Sequence, residues 1–174
     1  YDHIGKLMLA SMVWSAALFL PAFLAVPAFL SGDRVIQLTM GLPIAVLGLG
    51  CLTPVGAAGL AHMVKELIDT RDGAVRTLFA GIREYSGRAT VIGMVYLGVS
   101  FCLLTSIWFY PTRLQDTAPW LGYILGGLAL WLLAFVGLTA LLVMPALVQK
   151  KDTPLRTIKL AGLLVLDNPA MVLG

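Results

Sequence analysis

The chain has 174 residues, of which 59% are hydrophobic and only 12% charged, with a formal net charge of +3. A typical soluble domain carries about 25% charged residues, and a mean hydropathy of +0.92 leaves too little polar surface to cover a water-soluble fold of this size. The composition excludes a soluble globular domain and points to an all-α transmembrane helix bundle; the small positive excess fits basic loops beside anionic lipid and not a nucleic-acid surface.

Four uncharged runs, Leu7–Leu30, Val35–Val64, Ala89–Thr112 and Thr117–Gln149, each exceed the roughly 20 residues a helix needs to cross the hydrocarbon core. They predict spans over 7–30, 35–64, 89–112 and 118–148. The first run has no A-x-A cleavage site and is long for a signal peptide, so it is expected to stay as a helix. Pro21 and Pro27 should kink or break it near its end. The link "SGDR" (Ser31–Arg34) is so short that the first two spans form an antiparallel hairpin. The second span carries Pro43, Pro54 and the stretch "GLGCLTPVGAAG", where Gly48, Gly50, Gly56 and Gly59 suggest close approach to a neighbouring helix. It continues toward "HMVKELI". The third ends at "WFYPTR", and Trp108, Phe109, Tyr110, Trp120 and Tyr123 mark one interface. In the fourth, Gly126 and Gly127 are small residues suited to helix packing, as are Ala10, Ala16 and Ala17 in the first. Asn168-Pro169 opens the start of a fifth span, 168–174, and further chain is expected at both ends because the sequence starts at Tyr1 and stops in an apolar segment.

Orientation follows from the lysines and arginines. Lys6, Lys65, Arg71, Arg76, Arg83, Arg88, Lys150, Lys151, Arg156 and Lys159 fall on one side, Arg34 and Arg113 on the other. The positive-inside rule puts the ten in the cytoplasm, with the N-terminus.

Two segments on that side carry a mixed pattern. In "GAVRTLFAGIREY" (73–85), Val75, Leu78, Phe79 and Ile82 recur at helical spacing, and Arg76 and Arg83 share the opposite side. This predicts an amphipathic helix over 73–86 lying in the interface plane, N-capped by Asp72, its arginines toward headgroups. "TPLRTIKLAGLLV" predicts a second such helix over 154–166, with Thr153 as N-cap, Pro154 at the first position, and Arg156 and Lys159 as its cations. The two segments follow proline-containing spans with basic ends, as a parallel repeat would.

Two patches carry a family likeness. "TPVGAAGLAHMVKELIDTRDGAVRTLFAGIREY" and "LLVMPALVQKKDTPLRTIKLAGLLVLDNPAMVLG" resemble the DUF624, or YesL-like, family of bacterial integral membrane proteins, with "TPVGAA" in place of that family's usual Gly-Pro-Ala turn. The matching positions are Pro54, Gly56, Ala57, Lys65, Phe79, Pro145, Lys159, Asn168 and Pro169. The resemblance implies about five helices, a bacterial plasma (inner) membrane, and an accessory part in carbohydrate uptake.

Little in the chain points to catalysis. None of the six serines sits in a G-x-S-x-G or His-partnered pattern. Cys51 and Cys102 lie inside apolar runs and read as small buried hydrophobes, not as a disulfide or metal pair. His62 has Lys65 and Glu66 within one helical turn, too few ligands for a metal, and is expected to be structural. No catalytic residue, cofactor or metal is expected. The spans hold mild polar groups such as Thr105 and Thr139 and no ionisable relay. The expected function is therefore a non-catalytic accessory or structural subunit, with membrane lipids and other membrane subunits as partners. A small-molecule transporter or permease component is the alternative.

Overall fold

A computed structural model describes the backbone of residues 2–70, 75–150 and 152–167. Among them there are helices and no strands. Five rods follow one another: α1 (Asp2–Leu30), α2 (Arg34–Thr70), α3 (Val75–Arg113), α4 (Pro119–Lys150) and α5 (Pro154–Asp167). Three of them, α2, α3 and α4, are long and apolar enough to cross a membrane, against the four expected. α1 forms where a span is expected, but its apolar part, Trp14–Leu30, is shorter than the other three. The segment from Asn168-Pro169, the N-cap at Asp72 and the side chains of Ala10 and Ala17 lie outside the described residues.

The first hairpin closes as its residues dictate. Gly32 takes φ +72°, a conformation that favours glycine. The Asp33 carboxylate accepts from the Val35 N–H at 2.8 Å, capping α2, and Gln37 Nε2 donates to the Phe29 carbonyl at 3.0 Å across the turn. α1 continues as one helix through Pro21 and Pro27, where the sequence predicts a kink or a break, and is not broken there. Pro21 is buried where Gly48 of α2 leaves room for its ring.

α2 meets its prolines differently. The turns preceding Pro43 and Pro54, Gln37–Gly41 and Gly48–Leu52, are π-helical. Each ends on an i→i−5 bond, from Leu42 N–H to the Gln37 carbonyl and from Thr53 N–H to the Gly48 carbonyl. The Thr53 hydroxyl donates to the same Gly48 carbonyl at 3.0 Å. A proline supplies no N–H to the carbonyl four residues back, and one extra residue in the turn re-satisfies the backbone.

The largest departure concerns 73–86. The sequence predicts a separate helix in the interface plane, yet Val75–Arg113 is one uninterrupted 39-residue helix. Leu78, Gly81, Tyr85, Ala89, Ile92 and Gly93 form a buried stripe that passes straight through the charged segment into the span. The expected apolar face is therefore divided. Leu78 and Ile82 pack on Met63 of α2, while Phe79 points outward at 57% exposure. Arg76 and Arg83 are exposed, as expected.

Glycines set the distance between α2 and α3. A Cβ at Gly59 would lie 2.6 Å from Ile82 Cγ1, and one at Gly81 2.6 Å from His62 Cβ. Gly93 faces the Pro54 ring and the Gly50 carbonyl so closely that no side chain fits. Of the expected packing glycines, Gly48, Gly50 and Gly59 make such contacts, and Gly56 is half-buried. On α4, Gly122 and Gly126 pack against Tyr110, Ile107 and Pro111 of α3, whereas Gly127 and, on α1, Ala16 face outward. The core joins Ala58, Tyr85, Ile92, Val143, Leu147 and Ala161, so α2, α3, α4 and α5 share it.

α5 begins at Pro154, as expected, and the Thr153 carbonyl accepts the first intrahelical bond from Thr157 N–H at 3.0 Å. It buries Thr157, Ala161 and Val165 against the bundle and leaves Leu155 and Leu166 outward. Large apolar side chains face outward along the spans: Trp131 in mid-α4 is 78% exposed, and Trp108, Trp120 and Tyr123 are exposed toward one end. Cys51 is half-buried, but Cys102 is exposed, against the expectation that both are buried; it lies on the outward side of α3.

Candidate functional site

The principal concavity is a groove of about 1000 Å³ with α3 as its floor and α2 and α4 as its walls. The π turn before Pro54 lies on the α2 wall, and Gly93 on the floor lets that wall approach closely, since its Cβ position is taken by the Pro54 ring and the Gly50 carbonyl. Ala57, Ala61, Gly137 and Ala140 keep the walls apart. Small residues here remove bulk where larger ones would close the space.

Besides the Thr53 and Ser100 hydroxyls and the Trp14 indole of α1, whose Nε1 is buried without a partner, polar groups line the groove in two places. Midway along the spans, the Tyr96 hydroxyl donates to Thr139 Oγ1 at 3.0 Å, and Thr139 donates in turn to the Val136 carbonyl at 2.9 Å. The network is closed on itself, as buried polar groups in an apolar medium require. At the basic end lie Lys65, Asp69 and Gln149. Lys65 Nζ donates to the Val148 carbonyl at 3.4 Å, near the C-terminus of α4, where a cation also meets the negative end of the helix dipole.

This arrangement suits an apolar or amphiphilic occupant. The spans that form the groove carry no ionisable relay, and among the described residues no group of three His, Cys, Asp or Glu side chains is placed to hold a metal. His62 lies outside the groove: its ring stacks at 5.7 Å and 50° on Tyr85 and covers Gly81, with Nδ1 buried and unpartnered.

The cations singled out from the sequence do not converge here. Arg76, Arg83, Arg156 and Lys159 are exposed and none lines the groove. Pro54 and Pro145 do line it, Pro54 buried and Pro145 exposed; Asn168 and Pro169 lie outside the described residues. Lys65 is named in the sequence as one of the basic residues, as a neighbour of His62 and as a position of the family resemblance, but not as a site residue, and Tyr96 and Asp69 are not singled out. One signal was present: Lys65 and Asp69 are four residues apart at the end of a long apolar run, hence on one helical face. No family profile, no curated protein and no solved structure matches the chain.

Proposed function

We propose that the chain is a non-catalytic, multi-pass integral membrane protein that serves as an accessory or structural subunit of a larger membrane assembly. In this reading α1 is a fourth span, the basic end of the bundle is cytoplasmic together with the N-terminus, and the membrane is the bacterial plasma membrane. The carrying observation is the make-up of the middle of the groove: the Tyr96 hydroxyl is bonded to Thr139, and the other polar groups there, the Trp14 indole and the Thr53 and Ser100 hydroxyls, are uncharged and form no ionisable relay for an ion or a proton. The ten-to-two distribution of basic residues supports the orientation. The outward-facing Trp131, Phe101 and Leu130 supply apolar surface for lipid or for neighbouring helices. The link to carbohydrate uptake rests on the two YesL-like sequence patches alone.

A second reading, a small-molecule carrier, is favoured by the volume of the groove. Reconstitution separates the two. The purified chain alone in vesicles shows no saturable solute uptake if it is a subunit, and extraction from native membranes brings one stoichiometric companion. Saturable uptake by the isolated chain establishes the carrier instead.

A further inference from the structure

We propose that the groove seats one phospholipid whose headgroup ends in a primary amine, with its phosphate on Lys65, its ammonium on Asp69 and its acyl chains along the α3 floor. The inference rests on the reading of α2, α3 and α4 as membrane spans.

Length comes first. From Ile92 to Leu104 the floor rises about 18 Å at 1.5 Å per residue, close to the ~15 Å depth of one leaflet's hydrocarbon. The floor and walls along that rise are apolar, apart from small hydroxyls, the Tyr96 hydroxyl bonded to Thr139, and the Trp14 indole, whose Nε1 is buried without a partner. Acyl chains lose nothing by leaving the bilayer for such a surface, so the polar end decides occupancy.

That end carries one charge of each sign. Lys65 is half-buried, and an ammonium offers three donors. One goes to the Val148 carbonyl, and among the described residues no carboxylate pairs with it. Asp69 lies one turn farther toward water, exposed, on the same face and on the same groove. A phosphodiester at Lys65 gains a charge-assisted hydrogen bond. A primary ammonium two carbons beyond it reaches outward to Asp69 and donates. A phosphoglycerol headgroup satisfies Lys65 but brings no cation to Asp69. A phosphocholine headgroup brings a cation that has no N–H to give. The order of the two charges along α2, lysine deeper and aspartate nearer water, matches the order of phosphate and amine in the aminophospholipid.

The test uses the full chain in membranes containing equal amounts of phosphatidylethanolamine, phosphatidylglycerol and phosphatidylcholine. Carbonate washing comes first: loss of the chain from the membrane fraction refutes the membrane reading itself. Retained protein is then purified in mild detergent, and its bound lipid is measured by native mass spectrometry. The expected result is one phosphatidylethanolamine per chain. Lys65→Met lowers retained phospholipid about tenfold, the scale of one charge-assisted hydrogen bond. Asp69→Asn keeps lipid bound but erases the preference for phosphatidylethanolamine over phosphatidylglycerol. Lys65 also ties α2 to α4, so Gly137→Leu provides an arm that leaves the charges alone. Gly137 lines the groove and has no neighbour within 4 Å of its Cβ position, so a leucine there takes up space in the groove. Wild-type lipid retention in Gly137→Leu overturns the proposal. So do an unchanged lipid ratio in Asp69→Asn, and capture of a partner's helix in place of lipid by a cross-linker at Ala140→Cys.

Discussion

Alanine at Gly93 tests the closest contact in the bundle. Its Cβ would collide with the Pro54 ring and with the Gly50 carbonyl, and would lie 3.0 Å from Pro54 Cβ. Neither obstacle is a side chain that can rotate away: one is a proline ring, the other backbone. Overpacking costs typically 1–3 kcal/mol, and here the rigid neighbours place it near ~3 kcal/mol. Replacing a mid-helix glycine by alanine recovers ~1 kcal/mol of helix propensity. The net expectation is a loss of about 2 kcal/mol, equivalent to roughly 4–8 °C in melting temperature for a chain of this size. Gly98→Ala is the matched control on the same helix, since Gly98 has nothing within 4 Å. It keeps the propensity gain without the clash and should melt at or above wild type. Thermal unfolding of both variants in the same mild detergent decides the matter. If Gly93→Ala melts as high as Gly98→Ala, the α2–α3 contact is not as close as described.

Three further outcomes follow from the same structure. Spin labels at positions 76 and 112 should lie about 54 Å apart along one straight helix, whereas a bend to the interface plane near Arg88 would bring them to about 40 Å. Thr139→Val should cost more stability than Tyr96→Phe. The first strands the Tyr96 hydroxyl inside the bundle, at about 1–3 kcal/mol, while the second leaves Thr139 bonded to the Val136 carbonyl and costs about 0.6 kcal/mol; equal losses would refute the assigned donor order. Asp33→Ala should lower stability by about 1 kcal/mol through loss of the cap on α2, and no change in melting would mean that the cap is not formed.

The long apolar runs made most of the helices legible. α4 and α5 form within two residues of their expected limits, because their ends are marked by Pro119, by the lysine at 150 and by Thr153-Pro154. α3 was harder to read because two patterns overlap in it. Arg83, Glu84 and Arg88 interrupt the uncharged run, so a search for apolar stretches divides the helix there. The stripe Leu78–Gly81–Tyr85–Ala89–Ile92 continues across the charges at three- and four-residue steps, and packing follows that stripe. The groove was not legible at all as a site. Its polar members come from α1, α2, α3 and α4, and no local spacing announces that Tyr96 meets Thr139. The arginines that attracted notice for their charge in an apolar chain turned out to be exposed, outside the groove.

A bundle that spans the membrane with its basic end in the cytoplasm places Arg83 and Asp116 on opposite sides. Single cysteines at Arg83 and at Asp116, in a chain with Cys51 and Cys102 replaced by alanine, place the two ends directly. With a membrane-impermeant maleimide added to intact cells, position 116 should label and position 83 should label only after permeabilisation. Labelling of position 83 in intact cells, with position 116 protected, would contradict the account.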